Sequence, residues 1–161
     1  MTESVSRRKR ELQFPDPNFR EKIKNSFAVQ GFMQAHNGEL ISVEPGFVEV
    51  HIPFSKALAQ QHGFFHGGII ATAADSASGF ASYTVTEPDE ECLSAEFKIN
   101  FLSPGKGEKL ISRGRVIRAG RTLIITEASV SVLRDGEEIE CALMLHTLAR
   151  TKQVRSISRI D

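Results

Sequence analysis

The chain has 161 residues, enough for one domain with a sizeable core. Its 20 Lys plus Arg equal its 20 Asp plus Glu, so charge gives no reason to expect a nucleic-acid or membrane surface as partner. Cys92 and Cys141 stand in separate strand-like runs, with neither a CxxC pair nor histidines at zinc-finger spacing. That argues against a disulfide framework or structural zinc and fits a cytoplasmic location. No apolar stretch approaches the ~20 residues that span a bilayer, and no signal peptide is visible.

The basic run Arg7-Arg8-Lys9-Arg10 lies among polar, turn-forming residues, and positions 1–16 read as a flexible N-terminal tail. Residues 153–161 read as a matching C-terminal tail, leaving 17–152 as the folded domain. Residues 18–36 carry Phe19, Ile23, Phe27, Phe32 and Met33 at roughly helical intervals, and Asn37-Gly38 supplies a stop. This predicts an additional N-terminal helix, on the surface or acting as a lid. Residues 39–45 and 47–53 then read as a hairpin across Pro45-Gly46, with Val48, Val50 and Ile52 on one face. Residues 55–61 form a short helical turn or loop.

A long apolar helix is predicted to start near His66. Ile69, Ile70, Ala73, Ala74, Ala77, Phe80 and Ala81 crowd one half of its wheel. The other half holds Ala71, Thr72, Ser76, Ser78, Gly79 and Ser82 around Asp75. A solvated face would carry Lys, Glu and Arg; this one is small throughout and suits close packing against a backbone or a ligand. The rest of the chain reads as strands. In 94–101, Ala95, Phe97, Ile99 and Phe101 alternate with polar residues. Residues 110–118 follow, then 123–133 with Thr126, Ala128, Val130 and Val132 on one face, and, after an Asp135-Gly136 turn, 139–148 with Cys141, Leu143 and Leu145 aligned. One long apolar helix and an antiparallel sheet bury their faces together by wrapping, which predicts an α+β fold: a curved antiparallel β-sheet wrapped around a long central α-helix.

The segment His66-Gly67-Gly68 at the helix start carries chemistry, because free backbone amides and the helix dipole there favour negative charge. Asp75 follows nine positions after His66. In one helix the two stand about 13 Å apart on opposite faces, so they cannot serve one reacting atom within one chain. A second copy of the chain would resolve the contradiction.

This order of elements resembles the hotdog-fold thioesterases, specifically the phenylacetate-degradation (PaaI-type) acyl-CoA thioesterases. The likeness rests on His66-Gly67-Gly68 with Asp75, on the strand from Ser94 through Phe101 to Pro104, and on Ala119-Gly120-Arg121-Thr122, and runs from about Phe27 to Arg150. The resemblance implies a homo-oligomer, a dimer being required and a tetramer expected, in which Gly67 of one chain meets Asp75 of the other. It implies an acyl-CoA thioesterase with Asp75 as general base or nucleophile and the Gly67 N–H as oxyanion donor. Ser94 matches a family serine or threonine near the acid. Gln60 stands six positions before the histidine, where the family commonly has asparagine. His66 either holds the thioester or fixes the helix start. Gly68, Arg121, Thr122 and Arg118 are implied in substrate binding, with Arg150 a further cation for the phosphates of coenzyme A. No cofactor beyond coenzyme A as part of the substrate is implied. The i, i+4 pair His62 and His66 lacks a third ligand, so no metal is expected. Two rival readings are a hotdog hydratase or dehydratase and a non-catalytic acyl-CoA-binding module.

Overall fold

The computed structural model describes residues 11–152. The basic run at 7–10 and the segment 153–161 lie outside them. Residues 11–16, counted with the N-terminal tail from sequence, include Leu12, packed against the core, and the buried Asp16, whose carboxylate accepts from Asn18 N–H at 2.8 Å.

Helix α1, Phe19–Ala28, buries Phe19, Ile23 and Phe27, one residue per turn. The predicted single helix over 18–36 breaks after it. Helix α2 spans Gly31–Ala35, with Gln30 in extended backbone between the two. In an unbroken helix Met33, six residues beyond Phe27, would point about 120° away from the buried stripe. With the break it turns into the core, 1% exposed. Gly31, a poor helix former, stands at the joint.

Strands β1, Glu39–Glu44, and β2, Phe47–Pro53, form the expected hairpin, with Val48, Val50 and Ile52 fully buried. After a short 3-10 turn at Lys56–Leu58 comes the central helix α3, Gly67–Tyr83. Strands β3, Glu90–Phe101, β4, Lys109–Ala119, β5, Leu123–Arg134, and β6, Glu137–Lys152, complete one antiparallel sheet of order β1-β2-β4-β5-β6-β3. It wraps around α3, as expected. Small residues bring helix and sheet together: Ala73, Ala74, Ala77 and Ala81 are fully buried, and a Cβ on Gly114 of β4 would lie 2.3 Å from the Ala77 carbonyl. The β5–β6 turn uses left-handed backbone at Asp135 and Gly136 (φ 53° and 82°), as a two-residue hairpin requires.

Bulges bend the sheet and reset its alternation. Residue 95 is the extra residue of β3 against β6, and Cys141 is the extra residue of β6 against β5. The latter corrects the expected alignment of Cys141 with Leu143 and Leu145. Cys141 is fully buried, whereas Leu143 and Leu145 are exposed, and the inward row of β6 is Ala142, Met144, His146 and Leu148. Cys92 and Cys141 are both free, and burial pushes their thiols up, Cys141 to about 11. Among the described residues no helix is long and apolar enough to cross a membrane.

Candidate active site

The start of α3 is built by His66. Its Nδ1 accepts from Gly68 N–H at 3.0 Å, so the ring hydrogen of a neutral His66 sits on Nε2. Glycine at 68 makes room, since a Cβ there would lie 3.1 Å from that nitrogen. The N–H groups of Ile69 and Ile70 both turn back to the His66 carbonyl, at 2.9 and 3.2 Å. Gly67 N–H is left without a partner among the described residues. It is an open donor at the positive end of the helix dipole, walled on one side by the Phe101 ring, 3.3 Å from where a Gly67 Cβ would stand.

Asp75 lies eight residues further along the helix, about 12 Å from Gly67. Its side chain is 38% exposed, and its Oδ1 accepts from Ser94 Oγ on β3 at 2.8 Å. The bulge at residue 95 puts Ser94 on the inward side, paired with Leu148.

One neighbour was not singled out in the sequence. His146, fully buried on β6, brings Nε2 to 3.4 Å from Asp75 Oδ1. Its Nδ1 lies 2.9 Å from Ser78 Oγ, while that hydroxyl donates to the Ala74 carbonyl at 2.7 Å. Ser78 therefore accepts from His146 Nδ1–H, and Nε2 of the neutral ring turns a lone pair toward the carboxylate, without a hydrogen-bond partner among the described residues. Burial pushes the His146 pKa down, and the charges of Asp75 and Glu96 oppose it. The available signal was a histidine standing in the otherwise apolar row of Met144 and Leu148.

The remaining expected residues are placed as follows. Gln60 Oε1 accepts from His62 N–H within its own turn, which fixes the side-chain amide there and leaves its NH2 and one lone pair of the oxygen for other partners. Arg121 and Thr122 are exposed on the β4–β5 turn, and Arg118 is exposed near the end of β4. Arg150 is committed to the fold: its guanidinium donates to the Gly120 carbonyl at 3.0 Å, the Val85 carbonyl at 2.7 Å and Glu90 at 2.5 Å. Three of its five N–H donors are thus engaged within the fold, which holds the side chain in place and leaves two for any other partner. Among the described residues no group of three or more His, Cys, Asp or Glu could hold a metal ion. Beside Asp75 and Ser94 a cavity of about 360 Å³ opens between α3, β3 and the α1–α2 joint. Gly67 and Asp75, the two groups suited to opposite sides of a carbonyl carbon, stay apart within the chain.

Comparison with known proteins agrees with this fold. The family model of the Thioesterase superfamily matches residues 62–139. A crystal structure of a thioesterase family protein from Silicibacter pomeroyi superimposes with TM-score 0.82 at 40% identity, covering 83% of this chain and 98% of that one. Human acyl-coenzyme A thioesterase 13 is 30% identical over 101 residues, which are 62% of this chain and 71% of that protein. The PaaI protein of the E. coli phenylacetic acid degradation operon shares the fold, with TM-score 0.75 at 18% identity over 85% of this chain and 96% of that one. The protein relatives are spanned over 63% to 89% of their own lengths.

Proposed function

The chain belongs to the thioesterase superfamily and is a thioester hydrolase, and we propose that it cleaves acyl-CoA thioesters at sites shared between two copies of the chain. The observation that carries this reading is the division of labour along α3. An open amide sits at Gly67, and a carboxylate held by Ser94 sits eight residues on, out of its reach. The relative named as an acyl-coenzyme A thioesterase supports the substrate class.

The edge of the sheet supports a second copy. Strand β3 spans Glu90–Phe101 and among the described residues pairs only with β6, which leaves a row of its backbone groups without a strand partner there. Leu93, Phe97, Phe101 and Leu102 are 45% to 58% exposed along it. Such an edge favours pairing with another strand. Pairing β3 with its symmetry mate would extend the sheet and lay the α3 helices antiparallel, carrying Gly67 of each chain toward Asp75 of the other. A tetramer would add a second such pair.

In the assembled site the thioester carbonyl accepts from Gly67 N–H, with His66 Nε2–H beside it. Asp75, held by Ser94, takes a proton from water as its oxygen attacks the carbonyl carbon, or its own carboxylate attacks to form a mixed anhydride that water then cleaves. The oxyanion gathers charge at Gly67, where a preorganised amide lowers the barrier by about 3–4 kcal/mol. The tetrahedral intermediate then collapses, the C–S bond breaks and coenzyme A leaves as a thiolate that takes up the proton released by the attacking water, delivered from Asp75 on the general-base route. Arg121, with Thr122 and Arg118 nearby, would meet the phosphates, and Gly68, its N–H held by His66, would line the thioester beside the Gly67 amide through its bare Cα. Gln60 offers its NH2 to the carbonyl side. Two unpaired, buried thiols suit a reducing compartment such as the cytoplasm.

The test is free-thiol release from a panel of acyl-CoAs by wild type and Asp75→Asn. Release by wild type and a loss of about 100-fold or more in the variant, with an unchanged melting temperature, is expected. Near-wild-type turnover by Asp75→Asn would sink the assignment.

A further inference from the structure

Residues 11–16 are fixed to one end of the fold. Leu12 packs against the core, and the buried Asp16 accepts from Asn18 N–H at 2.8 Å. Between them the chain lies on the β1–β2 turn, where a Cβ on Gly46, at φ 73°, would stand 3.3 Å from Leu12 Cδ1 and 3.9 Å from the Phe14 ring. The segment thereby reaches a cleft of about 400 Å³, which Glu11 lines together with Glu87, Glu90, Arg121 and Arg150. The basic run Arg7-Arg8-Lys9-Arg10 joins the fold at this cleft, because Arg10 is bonded to Glu11 and Arg7 is at most ~14 Å of chain away.

The charge of the cleft is the second observation. Arg121 stands above as the residue that meets the phosphates of coenzyme A, yet the cleft it lines holds two arginines against three glutamates. Arg150 meets Glu90 at 2.5 Å, which leaves Arg121 as the cation set against Glu11 and Glu87. The 3′-phosphate and the diphosphate of coenzyme A together carry about four negative charges at neutral pH. An acidic cleft repels them at close range. Four consecutive cations joined to its wall reverse that balance.

Resting on the acyl-CoA reading above, we propose that Arg7, Arg8, Lys9 and Arg10 form, with Arg121, the binding surface for the phosphorylated nucleotide of coenzyme A. Residues 11–16 are the clip that delivers the run to that surface. A short tether holds the cations at high effective concentration beside the cleft, and their field captures substrate without touching the acyl group. The N-terminal segment thus separates acyl-CoA from a thioester that lacks the nucleotide, while the chemistry at Gly67 and Asp75 is the same for both.

The experiment measures kcat and KM by thiol release for butanoyl-, octanoyl- and benzoyl-CoA and for the matching acyl-pantetheines. It compares wild type with a full-length chain carrying Arg7→Gln, Arg8→Gln, Lys9→Gln and Arg10→Gln together. The variant is expected to raise KM for acyl-CoA about tenfold with kcat within about twofold, to hold its acyl-pantetheine values, and to melt with wild type. Adenosine 3′,5′-bisphosphate should compete with acyl-CoA in wild type and about tenfold more weakly in the variant. Raising salt from ~0.05 to ~0.5 M should remove most of both differences. An unchanged KM for acyl-CoA, or unchanged inhibition by the bisphosphate, overturns the proposal while turnover by wild type keeps the function beneath it. Equal losses with acyl-CoA and acyl-pantetheine also overturn it, assigning the run to the fold or to the chemical step. Absence of thiol release from every acyl-CoA by wild type overturns the function itself, and the proposal with it.

Discussion

Nε2 of His146 faces Oδ1 of Asp75 across 3.4 Å, with no proton to offer while the ring is neutral. The buried imidazole is therefore placed to share a proton with the carboxylate, at the same oxygen that accepts from Ser94 Oγ. A proton taken from water at Asp75 has a second acceptor within reach.

This pairing gives stability a pH dependence. Burial holds the folded His146 pKa below its ordinary 6.5. Below pH 6.5 the unfolded chain takes up a proton that the folded chain refuses until the pH reaches the depressed value, so stability falls as the pH drops through that window. Above 6.5 both states are neutral at this residue and its contribution is constant. His146→Leu should flatten the decline below pH 6.5 in urea denaturation measured from pH 5 to 8; an unchanged decline would assign it to other groups.

Gly67→Pro removes the proposed oxyanion donor at the cost of a few tenths of an ångström of movement in the Phe101 ring, which stands 3.3 Å from the added Cβ. Proline is accepted at the first helical position, and His66, at ψ 139°, already has the extended backbone that precedes proline. Turnover should fall about 100- to 1,000-fold with the fold intact by circular dichroism. Turnover within a few-fold of wild type would place the oxyanion at another donor.

Shared sites make complementation diagnostic. A heterodimer of one Gly67→Pro chain and one Asp75→Asn chain holds one site with both natural residues and one with neither. Purified by two different tags, it should recover about half of wild-type activity, as a two-fold dimer with one restored site requires. No recovery above the parent variants would mean that each site is built within one chain.

Gly114→Ala tests the seat of the helix. The added Cβ would stand 2.3 Å from the Ala77 carbonyl, against backbone that cannot swing away. A loss of about 1–3 kcal/mol is expected, seen as a melting temperature lower by several degrees. An unchanged melting temperature would show that α3 is free to shift on the sheet.

Much of this site is local and legible in sequence. His66, Gly67 and Asp75 lie on one helix whose start and wheel follow from spacing, and the alternation from Ser94 to Phe101 marks a strand. The inward turn of Ser94 depends on the bulge at residue 95, set by pairing with β6 more than 50 residues later in the chain. His146 escaped for the same reason. Reading β6 with strict alternation from Cys141 picks out Leu143 and Leu145, and only the bulge at Cys141 moves the buried row to Met144, His146 and Leu148. The break at Gln30 is equally nonlocal, because it satisfies the packing of Met33 rather than any strong stop signal. The commitment of Arg150 needs three segments to converge on one guanidinium.

That convergence has a bearing on affinity. Arg150 ties the Gly120 carbonyl of the β4–β5 turn to the Val85 carbonyl beyond the end of α3 and to Glu90 at the start of β3, and its own N–H holds the Thr122 carbonyl at 2.9 Å. The backbone bearing Arg121 is thereby rigid before any ligand arrives. Immobilising a loose side chain or loop on association costs about 0.5–1.5 kcal/mol for each group ordered. At this turn most of that entropy has already been lost in folding, so Arg150 lowers the threshold for its neighbour through the backbone it holds.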